Sequence, residues 1–213
     1  MTVRAIIFDC DGTLVDSETL GSMVMSEYLS ELGMPLSPEW IHHTYRGSRM
    51  ADCVADLGHR RGEPLPPEFV EILRQRMAEA IHRQLQPMPG AAELLNSIEL
   101  PMAVASNGPL GQVRLSLTVT GLIEHFGERV FSAYDVGAWK PDPRLFLTAA
   151  SAMQCSPDSC IVIEDSDLGV AAARAAGMHV YHLGGQTPAT HPGVTPLQQL
   201  IDLLPHLARR AAS

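Results

Sequence analysis

Short apolar runs separated by helical patterns are the feature that most constrains the fold of this 213-residue chain. The first run, Val3 to Phe8, is rich in β-branched residues and stops at Asp9, as a buried strand would. Similar runs follow at Met102 to Ala105, Cys160 to Ile163 and His179 to Leu183, with a weaker strand at Val130 to Ser132. Strands that alternate with helices predict an α/β fold with an open parallel sheet.

One long segment, residues 17–87, interrupts this alternation and has no strand-like run. Its apolar residues recur at helical spacing, as in the series Phe69, Leu73, Met77 and Ile81. Prolines and glycines divide it into about four helices. The sequence therefore predicts a helical subdomain at 17–87, inserted into a core domain made of residues 1–16 and 88–213.

The composition excludes several classes of protein. A net charge of -9 opposes binding to a phosphate backbone, so we expect no nucleic-acid partner. The sequence has no apolar run of the ~20 residues that a membrane span needs, and no signal-peptide core near its start. Four cysteines without paired or metal-type spacing are typical of reduced thiols. We expect a cytoplasmic protein that is a monomer or a weak dimer.

Two carboxylates stand directly after the first predicted strand, at Asp9 and Asp11, and Gly12 follows them. Ligands of open α/β sheets bind beyond the carboxyl ends of the strands. Two like charges so close together are favourable only with a cation or a shared proton, and Mg²⁺ is the hard cation that carboxylates prefer. A polar turn that caps a helix is the alternative. A calcium loop is excluded, because its sixth and twelfth positions would be Leu14 and Leu20.

Ser106 and Asn107 follow the second long run and precede Pro109, which is suited to be the first residue of a helix. Free N–H groups at a helix start bind anions, and a hydroxyl adds a donor. Plain helix capping is the alternative interpretation.

Lys140 and two acids, Glu164 and Asp165, complete the set of candidate residues. Lys140 is the only lysine of the chain and could neutralise phosphate oxygens or be an ordinary solvated residue. Glu164 and Asp165 come directly after the third long run, where one acid would suffice as a cap. Together these residues predict a metal site, a nucleophile and a phosphate-binding cradle at one edge of the sheet.

The stretches FDCDGTLVDSE, SNGP, WKPDP and VIEDSDLGVAAARAAGM resemble, in order and spacing, the four motifs of the haloacid dehalogenase superfamily. The resemblance covers nearly the whole chain. It implies a Rossmann-like open parallel sheet with an inserted α-helical cap, and the insert is similar to that of the β-phosphoglucomutase-like branch.

The resemblance also implies a role for each motif residue. Asp9 is the expected nucleophile and Asp11 the expected general acid and base. Asp9, Asp165, Glu164 and the backbone carbonyl of Asp11 are the expected Mg²⁺ ligands. Ser106, Asn107 and Lys140 are expected to bind the phosphate, and Lys140 to assist catalysis.

The same resemblance indicates a phosphatase of small phosphorylated metabolites, such as sugar phosphates or 6-phosphogluconate. Phosphomutase and phosphoglycolate phosphatase activities are the alternatives. Mutases of this branch carry a histidine about twelve residues after the nucleophile, where this chain has Gly21. Within the predicted cap, Arg46, Gly47 and Arg49 fall where related caps present their specificity loop; surface arginines are the alternative interpretation.

Overall fold

The computed structural model describes residues 3–185 and 192–211. Six strands form one parallel sheet in the order β3-β2-β1-β4-β5-β6. The strands are β1 Ala5–Phe8, β2 Met102–Ser106, β3 Val130–Ser132, β4 Cys160–Glu164, β5 His179–Leu183 and β6 Val194–Leu197. The predicted α/β class with an open parallel sheet is confirmed.

The described part of the chain contains ten α-helices. They are α1 Ser17–Glu31, α2 Pro38–Tyr45, α3 Met50–Arg61, α4 Phe69–Gln84, α5 Ala91–Asn96, α6 Leu110–Val119, α7 Ala133–Val136, α8 Arg144–Ala152, α9 Asp167–Ala175 and α10 Leu203–Ala211. No helix among the described residues is long and apolar enough to cross a membrane.

The chain clusters into two compact units. The first combines the residues up to Val15 with those from Gln86 onward, and the second is Asp16–Leu85. The second unit contains α1 to α4 and no strand among its residues, all of which are described. Its interior includes a stacked pair of rings, Tyr28 and Phe69, whose centroids lie 5.0 Å apart.

The first unit is built on a sheet that is buried on both faces. Ala5 and Ile7 of β1 belong to a core with α8 and α9, which includes Phe146. The next residue, Phe8, meets the ring of Phe126 edge-on, with the ring centroids 6.1 Å apart. Burial on both faces explains why the strands are almost continuously apolar rather than alternating.

The order of the strands changes direction at β1, where the sheet has its topological switch point. From β1 the chain continues to β2 and β3 on one side of the sheet, and then crosses to β4, β5 and β6 on the other. A crevice beyond the carboxyl ends of the strands forms at such a reversal. β1, β2 and β4 therefore deliver the residues that follow them, Asp9, Asn107 and Asp165, to one edge.

Candidate active site

A tight turn after β1 presents the first two acids. The Asp9 amide donates to the Ile163 carbonyl at 2.9 Å, which extends the β1–β4 pairing by one residue. The chain then turns back, since the Leu14 amide donates to the Cys10 carbonyl at 2.9 Å. Gly12 has a φ of 81°, a left-handed conformation that glycine adopts without the strain of a side chain. The glycine of the DxDG sequence is therefore favoured by the conformation of this turn.

Lys140 lies at the centre of the acidic group. It is 4% exposed, and its Nζ donates to Asp9 Oδ1 at 2.5 Å and to Glu164 Oε1 at 2.8 Å. The alternative of a solvated lysine is therefore wrong. A buried ammonium needs such partners, because an unpaired buried charge is very costly.

The pKa values reflect this crowding of charge. Burial raises the pKa of Asp9 well above its usual value; the Lys140 ammonium opposes this rise. The neighbouring carboxylates of Glu164, Asp165 and Asp11 add to it. Burial by itself lowers the pKa of Lys140, but the charges of Asp9 and Glu164 outweigh burial and leave that pKa raised. The raised pKa favours the charged form of Lys140, and its single positive charge compensates only part of the negative charge of the neighbouring carboxylates.

Asp9, Glu164 and Asp165 form a buried cluster in which one ligand atom from each lies within 4.8 Å of the others. Asp165 is 7% exposed, and its Oδ1 accepts a hydrogen bond from Thr13 Oγ1 at 3.2 Å. Three buried carboxylates beside one ammonium leave an excess of negative charge. A hard divalent cation with oxygen ligands fits this donor set, because it would relieve the repulsion among the carboxylates.

Glu164 is oriented by the first turn of α9. Its Oε2 accepts hydrogen bonds from the amide of Ser166 at 2.9 Å and from the hydroxyl at 3.2 Å. Ser166 Oγ in turn accepts from the Gly169 amide at 3.1 Å and caps the helix. A β-carbon at Gly169 would overlap the Glu164 side chain, so only glycine leaves room for this arrangement.

Ser106 joins the second acid to the loop after β2. Its Oγ donates to Asp11 Oδ2 at 2.9 Å and accepts from the Gly108 amide at 2.9 Å. The Gly108 carbonyl accepts from the buried Ser132 hydroxyl at 2.6 Å, at the end of β3. Ser106 is thus a fixed hydroxyl beside Asp11 rather than a cap of α6.

The start of α6 corrects one prediction. Pro109 is the N-cap, not the first helical residue, and the helix begins at Leu110. The side chain of Asn107 does not cap this helix either. Its Oδ1 instead accepts from the Lys140 amide at 2.9 Å, which links the loop after β2 to the loop that carries Lys140.

The profile of the haloacid dehalogenase-like hydrolases matches residues 6–183. The chain belongs to this family. It is 34% identical over 205 residues to the 6-phosphogluconate phosphatase of Escherichia coli, covering 94% of this chain and 93% of the relative. It is 30% identical over 187 residues to a fructose-1-phosphate phosphatase of the same species, covering 81% and 92% respectively.

A solved structure of the same family has a similar fold. The haloacid dehalogenase family hydrolase of Deinococcus radiodurans R1, with bound phosphate and sodium, has a TM-score of 0.78 and 32% identity. The alignment covers 98% of this chain and 96% of that one. The expected family and its phosphatase activity are confirmed: this chain is a haloacid dehalogenase-type phosphatase. A divalent metal is typical of such enzymes, and the buried acidic cluster is suited to one.

The predicted core residues fall into two groups. Asp9, Lys140, Glu164 and Asp165 lie together in the buried cluster, and Asn107 is hydrogen-bonded to the Lys140 amide. Asp11 and Ser106 are joined by a hydrogen bond of their own. The predicted cap residues Arg46, Gly47 and Arg49 belong to the second unit.

The loop from Arg46 to Arg49 joins α2 to α3. The Ser48 amide donates to the Tyr45 carbonyl at 2.9 Å, and Gly47 has a φ of 71°. With Arg46 at φ -52° and ψ 126°, this is a type II turn, which needs glycine at its third position. The conformation of the turn therefore explains the glycine at position 47. Arg46 and Arg49 are both exposed.

Sequence reasoning missed four supporting residues: Thr13, Ser132, Gly169 and His182. Thr13 lies in the stretch FDCDGTLVDSE and Gly169 in VIEDSDLGVAAARAAGM, so their proximity to the candidate acids in the sequence is a usable signal. Ser132 and His182 carry no local signal, because the groups that they contact come from other strands and loops.

Proposed function

We propose that this phosphatase hydrolyses a small sugar phosphate or phosphorylated sugar acid, with 6-phosphogluconate as the leading candidate, through a phosphorylated Asp9. The observation that carries the mechanism is the convergence of Asp9, Lys140 and Asp165 in one buried cluster. The substrate class is supported by the similarity to phosphatases named for 6-phosphogluconate and fructose 1-phosphate.

In the first step a carboxylate oxygen of Asp9 attacks phosphorus, and the bond from phosphorus to the substrate's ester oxygen breaks. Asp11 gives its proton to the departing alkoxide. Ser106 holds Asp11 by a hydrogen bond, so the acid is kept in one orientation. Lys140 reduces the repulsion between the anionic phosphate and Asp9.

In the second step Asp11, now ionised, takes a proton from water. The resulting hydroxide attacks the acyl phosphate and releases inorganic phosphate, which restores the Asp9 carboxylate. Asp9, Asp165, Glu164 and the Asp11 backbone carbonyl would hold Mg²⁺. When bound, this ion would supply positive charge that stabilises the transferring phosphoryl group.

Phosphate release from a metabolite panel tests this proposal. The panel should include 6-phosphogluconate, fructose 1-phosphate, glucose 6-phosphate and phosphoglycolate, each with Mg²⁺ and with a chelator. We expect the highest kcat/KM for a sugar or sugar-acid phosphate and no turnover with chelator. A preference for phosphoglycolate would overturn the substrate class, and full activity with chelator would overturn the metal role.

The Asp9→Asn variant tests the nucleophile. We expect a loss in kcat on the order of 10⁴-fold or more, because the amide cannot form the acyl phosphate. Asp158→Asn is a matched control, since Asp158 is an exposed acid in a short 3₁₀-helix before β4. Residual activity of Asp9→Asn within tenfold of the wild type would remove Asp9 as nucleophile.

Incubation with a hexose 1-phosphate distinguishes hydrolysis from the phosphomutase alternative. Gly21 lies in α1 and has no side chain, so no imidazole is available at this point of the helix. We expect free sugar and inorganic phosphate. Accumulation of the hexose 6-phosphate would favour the mutase.

The cap arginines are proposed to select substrates with a second anionic group. Paired guanidinium donors bind carboxylates well. We expect Arg46→Gln and Arg49→Gln to raise KM for 6-phosphogluconate more than for glucose 6-phosphate. Arg83→Gln, an exposed arginine on α4 of the same unit, is the control. Equal changes for both substrates would indicate ordinary surface arginines.

A further inference from the structure

His182 contacts the loop that carries Asp165, although it belongs to none of the four family motifs quoted above. The residue is 5% exposed, near the end of β5. Its Nε2 lies 3.3 Å from the backbone carbonyl oxygen of Asp165. A carbonyl oxygen can only accept, so Nε2 carries the hydrogen and donates it.

The imidazole is confined by its surroundings. His182 is paired with Glu164 in the β4–β5 register, which fixes its backbone beside the acidic cluster. On another side it meets the backbone of Gly185, where an added β-carbon would overlap the ring at Nδ1, Cγ and Cε1. A ring held in this way provides a donor in a fixed place.

Asp165 therefore has two separate anchors. Thr13 donates to the carboxylate, and His182 donates to the backbone carbonyl of the same residue. Partners of this kind around metal ligands typically change metal affinity by 10–100-fold when they are removed. Fixing the backbone matters here because Asp165 is the first residue after β4 and no strand pairing includes it.

We propose that His182 is a positioning residue that holds Asp165 in the geometry needed to bind a divalent cation. The inference rests on the proposed function, because Asp165 is taken as a cation ligand. His182 has no contact with substrate in this proposal; it acts through the Asp165 loop.

A histidine that only fills the core is the competing explanation, and the chain offers a matched control for it. His179 lies on the same strand, and its Nε2 is 2.9 Å from Thr195 Oγ1. It also packs against Tyr181 with ring centroids 5.1 Å apart. His179 thus also has a hydrogen bond through Nε2, but at the opposite end of β5 from the acidic cluster.

Mn²⁺ titration of the full-length protein without substrate, followed by electron paramagnetic resonance, tests the proposal. We expect His182→Leu to weaken Mn²⁺ binding by about 10–100-fold. His182→Gln should bind within about threefold of the wild type, because its amide keeps a donor. His179→Leu should lower thermal stability and leave Mn²⁺ affinity unchanged.

Folded His182→Leu with wild-type Mn²⁺ affinity would overturn the proposal, as would His182→Gln as weak as His182→Leu. Where His182→Leu does not fold, Gly185→Ala decides, because it displaces the ring and leaves the histidine in the chain. Folded Gly185→Ala with unchanged affinity would likewise overturn it. Absence of Mn²⁺ binding by the wild type would instead overturn the cation site itself, together with the proposed function.

Discussion

At the scale of single residues, the chemistry of this phosphatase depends on side chains that hold other side chains. Asp9 is the proposed nucleophile and Asp165 a proposed cation ligand, and each is held by a neighbouring side chain. Lys140 contacts Asp9 and Thr13 contacts Asp165. These hydrogen bonds make the buried carboxylates tolerable, because an unpaired polar group in the interior lowers the stability of the fold.

Thr13→Val tests one of these contacts. Thr13 is fully buried, and its hydroxyl donates a hydrogen bond to Asp165. Valine keeps the shape of the side chain but has no hydrogen-bond donor. We expect a loss of about 1 kcal/mol in the free energy of unfolding, and Mg²⁺ affinity lower by about tenfold. Calorimetric titration with Mg²⁺ measures the second effect.

Thr148→Val is the control for this change. Thr148 is half-buried on α8, and its hydroxyl donates to the Arg144 carbonyl at 2.8 Å. This variant also loses a hydroxyl, but one that donates to a carbonyl of its own helix and not to a carboxylate of the acidic cluster. An equal fall in Mg²⁺ affinity in both variants would contradict a specific role for Thr13.

At the scale of elements, the first turn of α9 is built around Glu164. Gly169→Ala would place a β-carbon against that side chain, which has no room to retreat because Lys140 and Ser166 hold it. Overpacking of this kind costs about 1–3 kcal/mol. We therefore expect lower thermal stability together with a fall in kcat, measured by calorimetry and phosphate release.

Gly111→Ala is the opposite case among helical glycines. Gly111 lies in the first turn of α6, and an added β-carbon would meet nothing within 4 Å. We expect this variant to be more stable by about 0.4–1 kcal/mol, because alanine lowers the entropy of the unfolded chain. Destabilisation in both variants would mean that helix entropy or local strain, rather than Glu164, explains the result at Gly169.

Elements that were predicted from sequence share a strong local pattern. β1, β2, β4 and β5 are short apolar runs, and α1 to α4 show helical spacing between proline and glycine breaks. β6 was missed because its sequence, VTPL, is short and contains Pro196. A proline is compatible with an edge strand, and β6 is at the edge of the sheet. α10 was also not predicted, because Pro205 lies within it and a proline usually marks a break in a helix.

The candidate site was predictable to the extent that each residue follows a strand or lies in a family motif. Asp9, Ser106 and Glu164 are found in this way, since the carboxyl ends of parallel strands meet at one edge. Contacts across the sheet were not predictable. Thr13 meets Asp165 across 152 residues of chain, and only the assembled strand order brings them together.

At the scale of the whole molecule, a cation held by the acidic cluster would link folding to ion binding. A ligand that binds only the folded state stabilises it, by about 2.7 kcal/mol at 100 times its Kd. For a chain of this size, that corresponds to a rise in Tm of roughly 5–10 °C. We expect Mg²⁺ to produce such a rise in the wild type and a chelator to reverse it, followed by scanning calorimetry. An unchanged Tm at saturating Mg²⁺ would contradict the cation site.

Asp165→Asn should change stability with opposite signs in the two conditions. Without a divalent ion, replacing one of three buried carboxylates by a neutral amide relieves repulsion with Asp9 and Glu164, so Tm should equal or exceed that of the wild type. With Mg²⁺, the variant lacks a ligand and should gain little, so the wild type should become the more stable protein. Asp158→Asn, outside the cluster, should follow the wild type in both conditions. A lower Tm for Asp165→Asn without the ion would mean that the hydrogen bonds of Asp165 stabilise the fold. It would contradict the expectation that repulsion among the three carboxylates destabilises the ion-free protein.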